Sequence, residues 1–311
     1  SALAQVDVSR LHLAASSQEM HLRMLNQDQI DHYRTKGYLG VEGVLSAAEV
    51  AELQRVTDEC VEKSREVTEH TSMYDLEPDH TPESPRLRRL KSPVSAHPAY
   101  ERALRNDRVL DIVSQLVGTE AVRYNGNKLN MKSGGFCSPV EWHQDWAFYP
   151  HTNDDLLAVG ICIDEMSEGN GCLLVVPGSH KGPILDHHQD GHFVGAVTDP
   201  DFDDSRAEKV ELPAGGISIH HVRALHGSLP NLSPKPRRLL LFQYCSGDSW
   251  PLLGTDWDAY SGSFLRGEPS ARVRVEQVPV QLALPTSLKG GSIYETQTVL
   301  KSSTFGSATG Q

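Results

Sequence analysis

The run Trp142-His143-Gln144-Asp145-Trp146 carries an imidazole and a carboxylate two residues apart. Side chains alternate along extended backbone, so His143 and Asp145 project to the same side. A second imidazole lies far downstream at His226, followed by Gly227 and Ser228, and Arg237 comes eleven residues after it. Two imidazoles and one carboxylate form a facial triad that holds Fe(II) and leaves coordination positions open for a cosubstrate and dioxygen. The planar fork of Arg237 suits bidentate capture of a carboxylate. A bare His-x-Asp is a weak signal, but the ordered set His143, Asp145, His226, Arg237 is a much stronger one. It points to an Fe(II)/2-oxoglutarate oxygenase.

The wording around these residues resembles the phytanoyl-CoA dioxygenase family. The resemblance rests on Trp142-His-Gln-Asp-Trp146, Asn170-Gly171, Val176-Pro-Gly-Ser-His180 and His226-Gly-Ser-Leu-Pro-Asn231. The opening from Leu25-Asn-Gln-Asp-Gln-Ile30 through Gly37-Tyr-Leu39 to Val44-Leu-Ser46 adds to it. The resemblance implies an α+β, mainly β fold, with a double-stranded β-helix (jelly-roll, cupin-like) core buttressed by N-terminal helices. It implies Fe(II) on His143, Asp145 and His226, with Arg237 on the distal carboxylate of 2-oxoglutarate. Ser228 and Lys132 are expected to assist with the cosubstrate. Dioxygen completes the set, and 2-oxoglutarate leaves as succinate and CO2 while a C–H bond of a small molecule is hydroxylated. A carboxylate at position 145 argues against a halogenase, which needs that coordination site for chloride. The substrate, regiochemistry and oligomeric state stay open. A cupin-like hydrolase or isomerase working without 2-oxoglutarate, or a non-catalytic binding protein on the same fold, would share the metal ligands but has no use for Arg237.

Composition excludes other classes. The 311 residues carry 41 acidic and 29 basic side chains, a formal net charge of -12, which disfavours binding to a nucleic-acid backbone. No run approaches the ~18 apolar residues of a membrane span. The five cysteines are scattered and odd in number, the usage of a reducing cytoplasm rather than of a disulfide framework. A single dioxygenase domain is expected over residues 25–285, between an extension (1–24, with an amphipathic possibility at 11–24) and a tail (286–311).

Local signals supply the elements that must position the site. Asn26 can cap a helix that Gly37 ends, Ser46-Ala-Ala-Glu49 is a capping box, and Asn106 to Gly118 reads as a third helix. From residue 120 onward short strands follow, an α+β order. Lys128, Asn130 and Lys132 share one strand face, toward the cavity, while Leu129 and Met131 share the other. Glu168-Gly-Asn-Gly171 reads as a hairpin turn into residues 172–176. Residues 68–85 and 187–192 read as long polar loops that cover the cavity and order when substrate binds. Arg86-Leu-Arg-Arg-Leu-Lys91 reads either as an anchor for an anionic substrate or as a charged edge strand. Of the fifteen histidines, His187, His188 and His192 read as solvated. His220 and His221 are weaker ligand candidates than His226. His180 reads as a turn residue, or as a support for the metal ligands. Arg238 is expected to be a surface charge, and Trp142, Trp146, Phe148 and Tyr149 divide between core and pocket wall.

Overall fold

The structure, a computed structural model, describes residues 25–135 and 139–305. The 11–24 stretch, Cys137 and the last six positions lie outside the described residues.

The N-terminal part is helical where capping chemistry says it should be. Helix α1 (Gln27–Lys36) starts in a reciprocal Asn26–Gln29 capping box and stops at Gly37, whose φ of 81° is left-handed. That position also tolerates no side chain, since a Cβ there would meet the His180 ring at 2.4 Å. Helix α2 (Ala47–Lys63) opens in the Ser46–Glu49 box. After the short α3 (Pro93–Ala96) and α4 (Pro98–Leu104), helix α5 (Asp107–Val117) is capped by Asn106 and closed by Gly118 in the left-handed region. Two short helices, α6 (Trp257–Gly262) and α7 (Ile293–Thr296), follow late in the chain.

Strands β1 (Tyr38–Val41), β2 (Tyr74–Leu76), β3 (Leu87–Leu90), β4 (Val122–Lys132), β5 (Val140–His143), β6 (Leu156–Cys162) and β7 (Leu173–Val175) are followed by a two-stranded ribbon, β8 (His188–Gln189) and β9 (His192–Phe193). Then come β10 (Glu208–Val210), β11 (Ile217–His221), β12 (His226–Ser228), β13 (Arg237–Ser246) and β14 (Phe264–Arg266). The larger antiparallel sheet runs β1-β11-β6-β13-β4-β3-β2, with β14 on β4, and the smaller runs β10-β7-β12-β5. Period-two alternation decides what each face meets. Leu129, Met131, Leu240, Phe242 and Tyr244 pack with residues of α2, α4 and α5, whereas Leu239 and Leu241 face the smaller sheet. The architecture is mainly antiparallel β with helices on the outer face of one sheet.

Several sequence expectations need correction. Residues 168–171 do not make a hairpin. They form a 3-10 turn after which β7 joins the smaller sheet, because its partners are β10 and β12 rather than β6. Strand β3 is not an edge, being paired by β2 and β4. The 68–85 segment supplies β2, and its Asp75 takes Arg89 (3.1 Å) and Lys91 (2.9 Å); it lines neither cavity at the site described below. His187 is fully buried, accepting the Gln144 N–H at Nε2 (3.0 Å). Burial pushes its pKa down to about 4, so it is a neutral structural group. Arg238 is no free surface charge either: its guanidinium grips Asp164 (2.7 Å) and Asp58. Arg238→Ala is expected to lower unfolding stability by on the order of 2 kcal/mol, since it strands the part-buried Asp164 carboxylate. Chemical denaturation of the purified variant measures it.

Candidate metal and cosubstrate site

The site lies between the sheets. Strand β5 ends at His143, Gln144 stays extended (φ -118°, ψ 125°), and Asp145 opens a 3-10 turn, so His143 and Asp145 emerge on one side. Strand β12 pairs with β5 so that His226 stands opposite His143. Donor atoms of His143, Asp145 and His226 all lie within 4.8 Å of one another, and the three residues are buried. Each histidine is aimed from behind: His143 Nδ1 donates to the Glu141 carbonyl (2.9 Å) and His226 Nδ1 to the Ala224 carbonyl (2.9 Å). Those bonds leave both Nε2 lone pairs directed at the shared centre.

The electrostatics suit a cation. Burial lowers the His143 pKa to about 4 and holds that of His226 well below its ordinary value. Burial alone would raise Asp145, but the Lys128 ammonium, with the neighbouring His220, outweighs it and keeps the carboxyl well below the usual range. Neutral imidazoles and an ionised carboxylate are the protonation states that metal ligation requires. His143 Nε2 and Asp145 Oδ1 are 3.8 Å apart, too far for a hydrogen bond and suited to two donors on one ion. His220 is not part of this donor set. Its ring packs at 4.1 Å against His226, tilted by 40°, with Nε2 3.5 Å from the other Asp145 oxygen. His221 packs outward against His180 and Tyr33, and His180 bonds the Arg34 carbonyl (3.2 Å), far from any supporting role at the metal.

A cavity runs from these ligands to Arg237, past Asn130, Ser228 and Leu239. Arg237 is buried, and Nε and Nη2 donate to the Gly171 carbonyl (3.2 and 2.7 Å), which fixes the plane of the fork. Lys132, opposite Arg237 across β4 and β13, directs its ammonium to the carbonyls of Ser228 and Leu229. A second, outer cavity shares Lys128, Asp145, Gln243 and Ile293 with the first. It is walled by Phe148, Tyr149 and Phe193 and covered by residues between Ala283 and Thr296. This cover, largely within the segment expected to be a tail, is held down at its far end by the Glu141 carboxylate, which accepts from Ser303 and from the Thr304 N–H (2.9 Å). Sequence reasoning missed it because its Gly- and Ser-rich stretch carries no periodic pattern.

Two antiparallel sheets enclosing a buried 2-His-1-carboxylate set, with open space on one side, define a non-heme iron oxygenase scaffold. A family model for phytanoyl-CoA dioxygenase matches residues 33–239, and the chain belongs to that family. It is 36% identical over 282 residues to a probable alpha-ketoglutarate-dependent hypophosphite dioxygenase of Stutzerimonas stutzeri, covering 88% of this chain and 97% of that one. An ectoine dioxygenase of Sphingopyxis alaskensis is 25% identical over 270 residues (80% and 85% covered). The solved structure of EctD from S. alaskensis with 2-oxoglutarate and 5-hydroxyectoine superposes with a TM-score of 0.62 at 21% identity, over 82% of this chain and 88% of that one. The protein is a 2-oxoglutarate-dependent dioxygenase, and its cofactors are iron, 2-oxoglutarate and dioxygen. None of its described helices is long and apolar enough to cross a membrane.

Proposed function

We propose that this chain hydroxylates an unactivated C–H bond of a small-molecule substrate while 2-oxoglutarate is converted to succinate and CO2. In this reading the core is a jelly roll, supported by a chain that passes between the sheets from β4 to β5, β6 and β7, and again from β10 to β11, β12 and β13. Iron sits on His143, Asp145 and His226. The observation that carries the reading is one cavity with this donor set at one end and an oriented, buried Arg237 at the other. Iron with 2-oxoglutarate and dioxygen supplies the oxidising power. The protein's own groups do the positioning. Backbone carbonyls of Glu141 and Ala224 hold the imidazoles in one tautomer, and Arg237 presents a fork to the distal carboxylate, beside the Ser228 hydroxyl. Lys132 contributes by tying down the β12 carbonyls. Leu173, Leu239 and Leu241 keep the cavity wall apolar, which strengthens each of these charge interactions. The described cysteines are buried and free, in keeping with a reducing compartment. The named substrates of the relatives, hypophosphite and ectoine, are small molecules.

The test is purified protein with Fe(II), 2-oxoglutarate and a panel of small organic acids, amino acids, phosphonates and acyl thioesters under isotopically labelled dioxygen. Succinate in step with a product bearing the label is expected. Substrate-stimulated succinate release with no label in any product would overturn hydroxylation.

A further inference from the structure

Lys128 is a cation at the point where the two cavities meet, with Asp145 as its opposing charge. No hydrogen bond or ion pair engages it among the described residues, yet it lines both cavities together with Asp145. Beside it on β4, Asn130 is buried and its Oδ1 has no partner. Across the ladder, Gln243 pairs with Gly126, where a Cβ would lie 2.6 Å from the Gln243 Oε1 and the carboxamide would have to shift. Arg89, from β3, lines the outer cavity and is close enough to depress the Lys128 pKa further, after burial, while Asp145 opposes both. Its carboxylate partner Asp75 is shared with Lys91. Two cations, Lys128 and Arg89, therefore line the outer cavity against one carboxylate, Asp145. In a chain of net charge -12, this throat is locally positive.

Resting on the dioxygenase reading above, we propose that Lys128, backed by Arg89 and flanked by Asn130 and Gln243, is the substrate-anchoring site, and that the substrate carries a small oxoanion group. The cosubstrate does not account for this cation. Lys128 pairs with Leu241 while Arg237 pairs with Lys132, a separation of four residues or roughly 13 Å along the strands. Arg237 lines only the inner cavity, so Lys128 occupies the other side of the metal, where the outer cavity opens. An anion there meets a part-buried ammonium, a charge-assisted contact in a low-dielectric wall, and stands next to the proposed iron ligands.

The experiment is anaerobic calorimetry on protein loaded with Fe(II) and 2-oxoglutarate, titrated with hypophosphite, methylphosphonate and butyrate, alongside a separate titration of 2-oxoglutarate. At least one anion is expected to bind the wild type. Lys128→Met and Lys128→Gln should weaken it by about 30-fold or more, the loss typical of a buried charge partner. The Kd for 2-oxoglutarate should stay within about 3-fold on the same scale, and Lys128→Arg should recover part of the anion affinity. Melting curves and retained 2-oxoglutarate binding report that the variants are folded. The proposal falls if no anion binds in the millimolar range, if the Lys128 variants bind it like wild type, or if they lose 2-oxoglutarate as severely as the anion. Failure of the wild type itself to bind 2-oxoglutarate with Fe(II) would instead overturn the underlying site assignment.

Discussion

His226→Ala is expected to abolish Fe(II)-dependent 2-oxoglutarate turnover, by on the order of 10³-fold or more, whereas losing a group that merely orients a ligand costs about ten- to hundredfold. The triad offers only three donors, all within 4.8 Å, so two remain and the ion is weakly held or displaced. The fold should survive, because His226 lies at the cavity end of a three-residue strand whose backbone pairing to β5 and β7 does not need the ring. Metal content by atomic absorption and turnover by succinate release measure the two effects separately. Among the described residues, His220 is positioned to compensate, with its ring 4.1 Å from His226 and Nε2 3.5 Å from Asp145. Wild-type iron content and turnover in His226→Ala would show that His220 or another group ligates instead, and the assignment of His226 would be wrong. His143→Ala and Asp145→Ala should behave like His226→Ala.

Arg237→Ala should raise the 2-oxoglutarate requirement by roughly 30-fold or more, the equivalent of about 2–5 kcal/mol for a buried carboxylate left without its cation. Gly171 already orients the fork through two hydrogen bonds, so a carboxylate binding there would cost little further rotamer entropy. Iron binding should change little, since the guanidinium is no ligand. Arg237→Lys should recover only part of the affinity, because an ammonium cannot reproduce two parallel N–H donors. Arg238→Ala is the comparison: adjacent in sequence but paired to Asp164 on the far face, it should shift the denaturation midpoint and leave the KM for 2-oxoglutarate unchanged. An unchanged KM in Arg237→Ala would remove Arg237 from the cosubstrate site.

Helix boundaries were legible in the sequence because their chemistry is local. Asn26, Ser46 and Asn106 each accept backbone N–H groups within three residues, and Gly37 and Gly118 adopt a left-handed φ that other residues resist. The candidate triad was legible for a related reason: a two-residue spacing on extended backbone puts His143 and Asp145 on one side whatever surrounds them. The face shared by Lys128, Asn130 and Lys132 followed from the same alternation. Long-range pairing decided the rest. Turn residues at 168–171 encode a reversal but not which sheet receives β7, a choice made by Leu173, Leu174 and Val175 finding β10 and β12. His187 and Arg238 look like surface groups in sequence and became structural ones when Gln144 and Asp164 were brought to them across 43 and 74 residues. The cover over the outer cavity is the extreme case. Ile293 lines the cavity of His143, Asp145 and His226 while Glu141, more than a hundred and fifty residues earlier, holds Ser303 and Thr304, and no local propensity records a contact between segments so far apart.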